Sequence, residues 1–447
     1  MSFLARFRMP KRRTSAKPAK DFPPPASASV IPIGDARHSS SGWRAKLPRF
    51  RTTAGDHLDQ DQRDAFGRKR VRLRNAFTPS QPVVDPEMFA GRKGVLQNLI
   101  RSVEDERLHI IVYGDRGVGK TSLLRMLALT ARDARYIVIY LSCGAQSEFS
   151  ETFKSAAAEI PLLYHSTISP VSLNAQGGRT IADLFGPEKL TPRQFADAVA
   201  KLVGTRVLII LDEFDRAESR EFRRDVAEVL KTLSDMSARV QLVIAGVASD
   251  LADLIEYIPS VRRAVRSLRV SAMADEEVIE LVGNGERTSG LKFDAEATAF
   301  LISAANGSPY LSNLLCHGAG MAALDDMRSN VTVEDVSTAL ENALDDLRGR
   351  LPVAVAARLD AEPERMRGEP TDSEPGDSPR AKHGASRGQD AKRLDNVLAK
   401  LEAEGLLEPS MPTRYALVAD TVAPYLQLIT ARSRLRIASA RRGAKAE

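Results

Sequence analysis

The sequence predicts an α/β fold, a parallel sheet with crossover helices, followed by an all-helical lid. Three observations predict it. Short apolar, β-branched runs recur between helical patterns from residue 109 to 247, as strands covered on both faces do. The first run leads straight into "GDRGVGKTSLLRMLALTAR", a glycine-rich turn and then a helical pattern. The third run ends in adjacent acids, Asp212 and Glu213.

In chain order, strands are expected at 109–114 (HIIVYG), 135–142 (RYIVIYLS), 206–213 (RVLIILDE) and 239–247 (RVQLVIAGV), with a weaker fifth at 265–273 (VRSLRVSAM). Each is too short for a helix and rich in Val and Ile. In "TPRQFADAVAKLVG" Thr191 suits an N-cap and Pro192 the first helical position. After Met273 the strand pattern stops, and 273–350 reads as four helices. The sheet domain is therefore placed at 81–272 and the lid at 273–350.

The flanks differ in composition. Residues 1–80 are rich in Pro, Ser, Ala and Arg without a sustained period and read as a disordered basic arm. Residues 362–390 carry Pro, Gly, Ser and mixed charge and read as a linker. A segment at 391–430 regains apolar periodicity, and 431–447 is a basic tail. The net charge of +6 conceals a split: residues 1–75 sum to +12, 430–447 to +5, and the body between them to −11. Such basic ends touch nucleic acid, anionic lipid or an acidic protein face, or serve as solvated tails.

With 43% hydrophobic and 27% charged residues, 447 residues can bury two or three domains. Two cysteines without a CxxC pair argue against a disulfide framework and against zinc. No apolar run is long enough for a membrane helix, so the expectation is a cytoplasmic protein without membrane contact.

Gly114, Gly117, Gly119, Lys120 and Thr121 match GxxxxGK[ST] between a strand and a helix, the context that gives this P-loop its meaning. Backbone N–H groups of Gly114, Asp115, Arg116, Gly117, Val118 and Gly119, and of Lys120, Thr121 and Ser122 at the helix start, can surround phosphate oxygens. Lys120 is expected on the β and γ phosphates of a nucleotide, and Thr121 on Mg2+. Asp212 and Glu213 emerge at the C-terminal end of a buried strand, where open α/β sheets bind ligands. Asp212 is expected to hold Mg2+ and Glu213 to polarise the attacking water.

This succession, with a polar residue after the fourth strand, resembles the AAA+ P-loop ATPases of the archaeal-type, origin-recognition-like group and their STAND relatives. The resemblance spans about 85–345. "MFAGRKGVLQNLI" is similar to the family segment that lies over the adenine, which implies that Phe89, Gly91 and Arg92 neighbour base and ribose. Packing of Leu96 and Ile100 on the sheet can hold at the same time. Ser249 stands where the family's sensor 1 orients the lytic water. "IPSVRRAVRSLRV" is similar to the segment with an arginine finger, so Arg262 and Arg263 are both candidates for a neighbouring subunit's nucleotide in an ATP-dependent homo-oligomer. An exposed basic helix is the other reading. In "NGSPYLSNLLC" Ser308 and Pro309 replace the lid arginine common in AAA+ proteins and are closer to the GxP of the STAND branch, which implies Pro309 at the nucleotide and slow turnover.

Beyond the lid, "AKRLDNVLAKLEAEGLLEPSMPTRYALV" resembles a C-terminal winged helix. Its expected recognition helix, 392–405, carries no net positive charge, so DNA contact and protein contact both stay open. The expected function is Mg2+-dependent ATP hydrolysis, slow, coupled to a conformational change and possible DNA engagement through the basic tails and winged helix. The alternative is a STAND-like regulatory switch acting through protein partners with little turnover; a transposition or secretion helper ATPase fits the same motifs. A small GTPase fits poorly, since NKxD is missing, and nothing in the sequence suggests a metabolite kinase's acceptor pocket.

Overall fold

Five strands form one parallel sheet because each expected run keeps its β-branched residues between two helical layers. In a computed structural model, β1 (His109–Gly114), β2 (Ile137–Ser142), β3 (Val207–Asp212), β4 (Val240–Val247) and β5 (Val265–Arg269) lie in the order β2-β3-β4-β1-β5. The structure describes residues 65–168, 178–248, 263–361, 396–407, 418 and 421–435. All belong to one unit, Gln62–Glu447.

The central strands carry the apolar load. Every residue of β3 is buried, whereas β5, at the edge, has no buried residue and three exposed ones. That is why "VRSLR" reads weakly in sequence. On one face α4 (Phe149–Ala158), α5 (Pro192–Val199) and α6 (Arg220–Asp235) enclose a cluster around Phe153, Phe195 and Phe222. On the other, α2 (Lys93–Glu104) and α3 (Lys120–Asp133) pack Leu99, Leu123 and Leu127 against Ile110, Val112 and Ile210. Leu96 and Ile100 join this second core, as the sequence led one to expect. The Thr191 cap also forms, its hydroxyl accepting from Gln194 N–H at 3.3 Å with Pro192 next in line.

The lid is four helices, α7 (Asp275–Ser289), α8 (Ala295–Ala305), α9 (Pro309–Asp325) and α10 (Val333–Gly349), with a two-stranded parallel ribbon, Lys292–Phe293 on Asn330–Val331. A further helix, α11 (Val353–Asp360), seals the same core through Val355 and Leu359.

The lid therefore runs past its expected end at 350, and two further boundaries differ from expectation. Residues 65–80 were expected inside the disordered arm. Instead α1 (Ala65–Ala76) is helical and joins the lid core with Leu73, Ala76 and Phe77. The reason lies in the partner: a Cβ on Gly285 would sit 1.9 Å from the Phe77 ring, and one on Gly320 2.7 Å from Leu73. The lid glycines are the receptacle for α1. Arg70 fixes the orientation, donating to Asp325 at 2.7 Å and to Leu324 O at 2.8 Å. At the other end the 430/431 boundary falls inside one helical run, 421–435, whose Ala431 is buried and whose Arg432 donates to Glu341.

Helical residues 396–403 bury Val397 and Leu401 in the lid core, and Gly405 turns with φ 68° after them. The linker 362–390, residues 1–64 and most of 408–420, within the winged-helix-like segment, lie outside the described residues.

Candidate functional site

The site forms where β1 and β3 end beside the N-terminus of α3. Gly114 closes β1 with φ 145°, and a Cβ there would stand 2.3 Å from the carbonyl oxygen of Val270. Only glycine allows the chain to turn this close to the strand-β5 exit. Gly117 and Gly119 also take positive φ, 76° and 92°. Lys120 begins α3 and is buried; its Nζ donates to the carbonyls of Gly114 and Asp115, both at 2.8 Å. Burial lowers its pKa to about 8, against the pull of Asp215, Asp115 and Asp212. The loop's own oxygens thus satisfy a cation that has lost its water.

The lid reaches this loop directly. Ser308 caps α9, accepting from Leu311 N–H at 3.3 Å, and Pro309 takes the first helical position. Added Cβ atoms on Gly119 and Gly117 would meet Pro309 and Tyr310, each at 3.7 Å. The N-terminus of a 17-residue helix, capped by Ser308, therefore faces the phosphate loop.

Asp212 and Glu213 differ in environment. Asp212 is 4% exposed, and both oxygens are occupied: Oδ1 accepts from Glu213 N–H at 2.9 Å, Oδ2 from the Tyr140 hydroxyl at 2.6 Å. Burial and the adjacent Asp212 push the Tyr140 pKa far above its usual value, so the phenol stays a donor. Glu213 sits in the left-handed region, φ 56°. Its Oε2 accepts from Ser142 Oγ at 3.0 Å and pairs with Arg216 at 3.1 Å. Asp215, three residues beyond Asp212, accepts from Val247 N–H at 2.8 Å and so ties the acidic loop to the end of β4.

The segment before β1 lies between sheet and lid. Phe89 is buried in the α2–α3 core. Gly91 N–H donates to Glu280 on α7 at 2.8 Å. Arg92 is 6% exposed; its Nη2 donates to Ser271 O at 2.6 Å, while its Nη1 has no hydrogen-bond partner among the described residues. Burial lowers the Arg92 pKa, opposed by Glu277. Ser122 Oγ accepts from Val83 N–H at 3.1 Å. Arg263 is in an exposed turn before β5; Ser249 and Arg262 lie outside the described residues.

The residues fit a nucleoside triphosphate with Mg2+. A loop with no Cβ at its turning points, a buried lysine, a helix N-terminus and an orphaned guanidinium N–H all favour an anionic ligand. Among the described residues no group of three or more His, Cys, Asp or Glu could hold a metal. One hydroxyl, Thr121, and one carboxylate, Asp212, suit Mg2+ shared with phosphates. Sequence reading missed Tyr140, Ser142, Asp215 and Arg216; their only signal was polarity at strand ends or one turn past the acid pair.

Fold and site define a P-loop NTPase with STAND features. The family model "Novel STAND NTPase 1" matches residues 76–331, and the chain belongs to that family. Among solved structures it is similar to a Walker-type ATPase of Pyrococcus abyssi (17% identity, 78% of this chain and 98% of that one, TM-score 0.47). It is also similar to the Orc1 protein of Aeropyrum pernix in complex with DNA (15%, 76% and 88%, 0.42) and to the RuvB Holliday junction branch migration motor of Thermotoga maritima (14%, 71% and 86%, 0.39). A search of curated proteins returned no match. No described helix is long and apolar enough to cross a membrane.

Proposed function

We propose that the chain binds ATP with Mg2+ and hydrolyses it slowly, using the cycle to move the helical lid relative to the sheet. The observation that carries this reading is the apposition of Pro309 and Tyr310 to Gly119 and Gly117. A ligand seated on the loop there contacts both bodies, so its phosphate count bears on their separation. Lys120 exchanges the Gly114 and Asp115 carbonyls for the β and γ phosphates. N–H groups of Asp115, Arg116, Gly117, Val118 and Gly119 and of the first turn of α3, including Ser122, receive the remaining oxygens. Thr121 and Asp212 would hold Mg2+, which would supply charge neutralisation at the phosphates. Glu213 leaves Ser142 and Arg216 to orient water, a task that Ser249 shares. Phe89, Gly91 and Arg92 border base and ribose, and Pro309 the nucleotide at the phosphate loop. Arg262 or Arg263 serves a neighbouring copy in a nucleotide-dependent homo-oligomer.

One observation favours a second reading, a regulatory switch acting on protein partners with little turnover: Glu213 is already engaged by Ser142 and Arg216. DNA engagement through the basic ends and a winged helix belongs to the first reading.

The test is turnover and ATP affinity of wild type and Glu213→Gln. Turnover that the substitution abolishes, with binding retained, supports hydrolysis; nucleotide held without turnover supports the switch. Absence of ATP binding overturns both. For DNA, affinity should fall steeply with salt and weaken on removal of 1–64.

A further inference from the structure

We propose that Tyr140 is a positioning residue for Asp212, fixing the plane of the carboxylate that meets Mg2+; this rests on the nucleotide reading above. Tyr140 pairs with Ile210 in the parallel β2–β3 ladder, and Ser142 with Asp212. Side chains alternate along a strand, so Tyr140 shares a sheet face with Asp212 two places on. Its ring packs in the α2–α3 core while its hydroxyl reaches the strand end.

The hydrogen bond has the length of a charge-assisted O–H···O⁻ contact, 2.6 Å. The terminal torsion of an aspartate is broad and roughly two-fold, so the carboxylate plane is set by its partners. Here there are two, one per oxygen: Glu213 N–H on Oδ1 and Tyr140 O–H on Oδ2. An oxygen has two lone pairs, which leaves capacity on each for an ion-bound water.

The ring is itself held. The Arg125 guanidinium stands over it, 5.6 Å from the centroid. Arg125 belongs to α3, the helix that begins with Lys120 and Thr121. Tyr140 thus spans the two elements that deliver Thr121 and Asp212, and registers one against the other. A phenylalanine would fill the same core space; the hydroxyl is what the packing does not require.

The test uses Tyr140→Phe in the full-length chain, with equilibrium binding of a fluorescent ATP analogue measured in excess chelator and across a Mg2+ titration. Affinity in chelator should stay within about twofold, while the Mg2+ midpoint rises about 10-fold or more, as loss of a carboxylate's supporting partner does at metal sites. Added to Asp212→Asn, the same substitution should shift the midpoint no further, because the carboxylate it acts through is gone. An unchanged midpoint overturns the role, and so does an equal loss with and without Mg2+, which marks a packing residue. A wild type that does not bind ATP overturns the nucleotide reading; one that binds ATP with an affinity that ignores Mg2+ overturns the role of Tyr140 alone.

Discussion

Gly91 donates its backbone N–H to Glu280 at 2.8 Å, tying the segment before the first strand to the first lid helix. Lys93 Nζ reaches the other carboxylate oxygen at 2.8 Å. Gly91 holds φ 77°, and a Cβ there would lie 2.6 Å from Glu277 Cβ. Gly91→Ala therefore combines backbone strain with overlap against a helix, and should destabilise the fold by about 2 kcal/mol or more. Urea denaturation measures this. Stability equal to wild type would mean that α7 shifts freely against the segment.

The restraint on Glu213 is weak enough to estimate. Glu213 and Arg216 side chains are 38% and 48% exposed, and exposed pairs contribute about 0–1 kcal/mol. On the hydrolysis reading, Arg216→Ala should change basal turnover by about fivefold at most, upward, since it frees the carboxylate. A steady-state phosphate-release assay decides; a larger fall would place Arg216 in the chemistry itself.

Phe77 marks where the arm ends and the folded unit begins. It is 1% exposed, meets Phe293 edge-on at 6.0 Å and lies against Gly285. Phe77→Ala should cost about 3–5 kcal/mol. Truncation after residue 64 should leave the thermal transition in place, whereas truncation after residue 80 should lower it sharply, because Leu73 leaves too. Calorimetry of the two shortened chains checks this.

The phosphate loop and acid pair were legible because their chemistry needs fixed residue types at fixed spacing. β1, β3 and β4 were legible because near-complete burial leaves runs that are almost wholly apolar. What escaped depended on distant partners. α1 reads as a basic arm, "AFGRKRVRLRNA", and only Gly285 and Gly320, more than 200 residues on, show why Phe77 and Leu73 fold inward. Tyr140 looked like one more residue of an apolar strand, and its use appears only once β2 lies beside β3. At Ser308 and Pro309 the resemblance implied a place at the nucleotide, while the cap that Ser308 places on Leu311 N–H appears only in the structure.

His109, the first residue of β1, is 3% exposed, and its Nδ1 accepts the Leu242 N–H at 2.9 Å. That bond requires the neutral ring with the proton on Nε2. Burial lowers its pKa from 6.5 to about 4, against a backbone hydrogen bond with Leu230 that raises it. The unfolded chain then binds the proton more readily than the folded one between pH 6.5 and about 4. This contribution to stability is whole above pH 6.5 and falls as pH drops toward 4, by on the order of 3 kcal/mol in total. Below about 4 the folded ring protonates as well and the slope ends. His109→Asn offers an amide oxygen near the place of Nδ1 and does not titrate, so it should flatten the curve in this window. Urea midpoints taken from pH 7.5 to 4.5 on both proteins give the comparison. Parallel curves would show that His109 stays neutral for reasons that do not couple to folding.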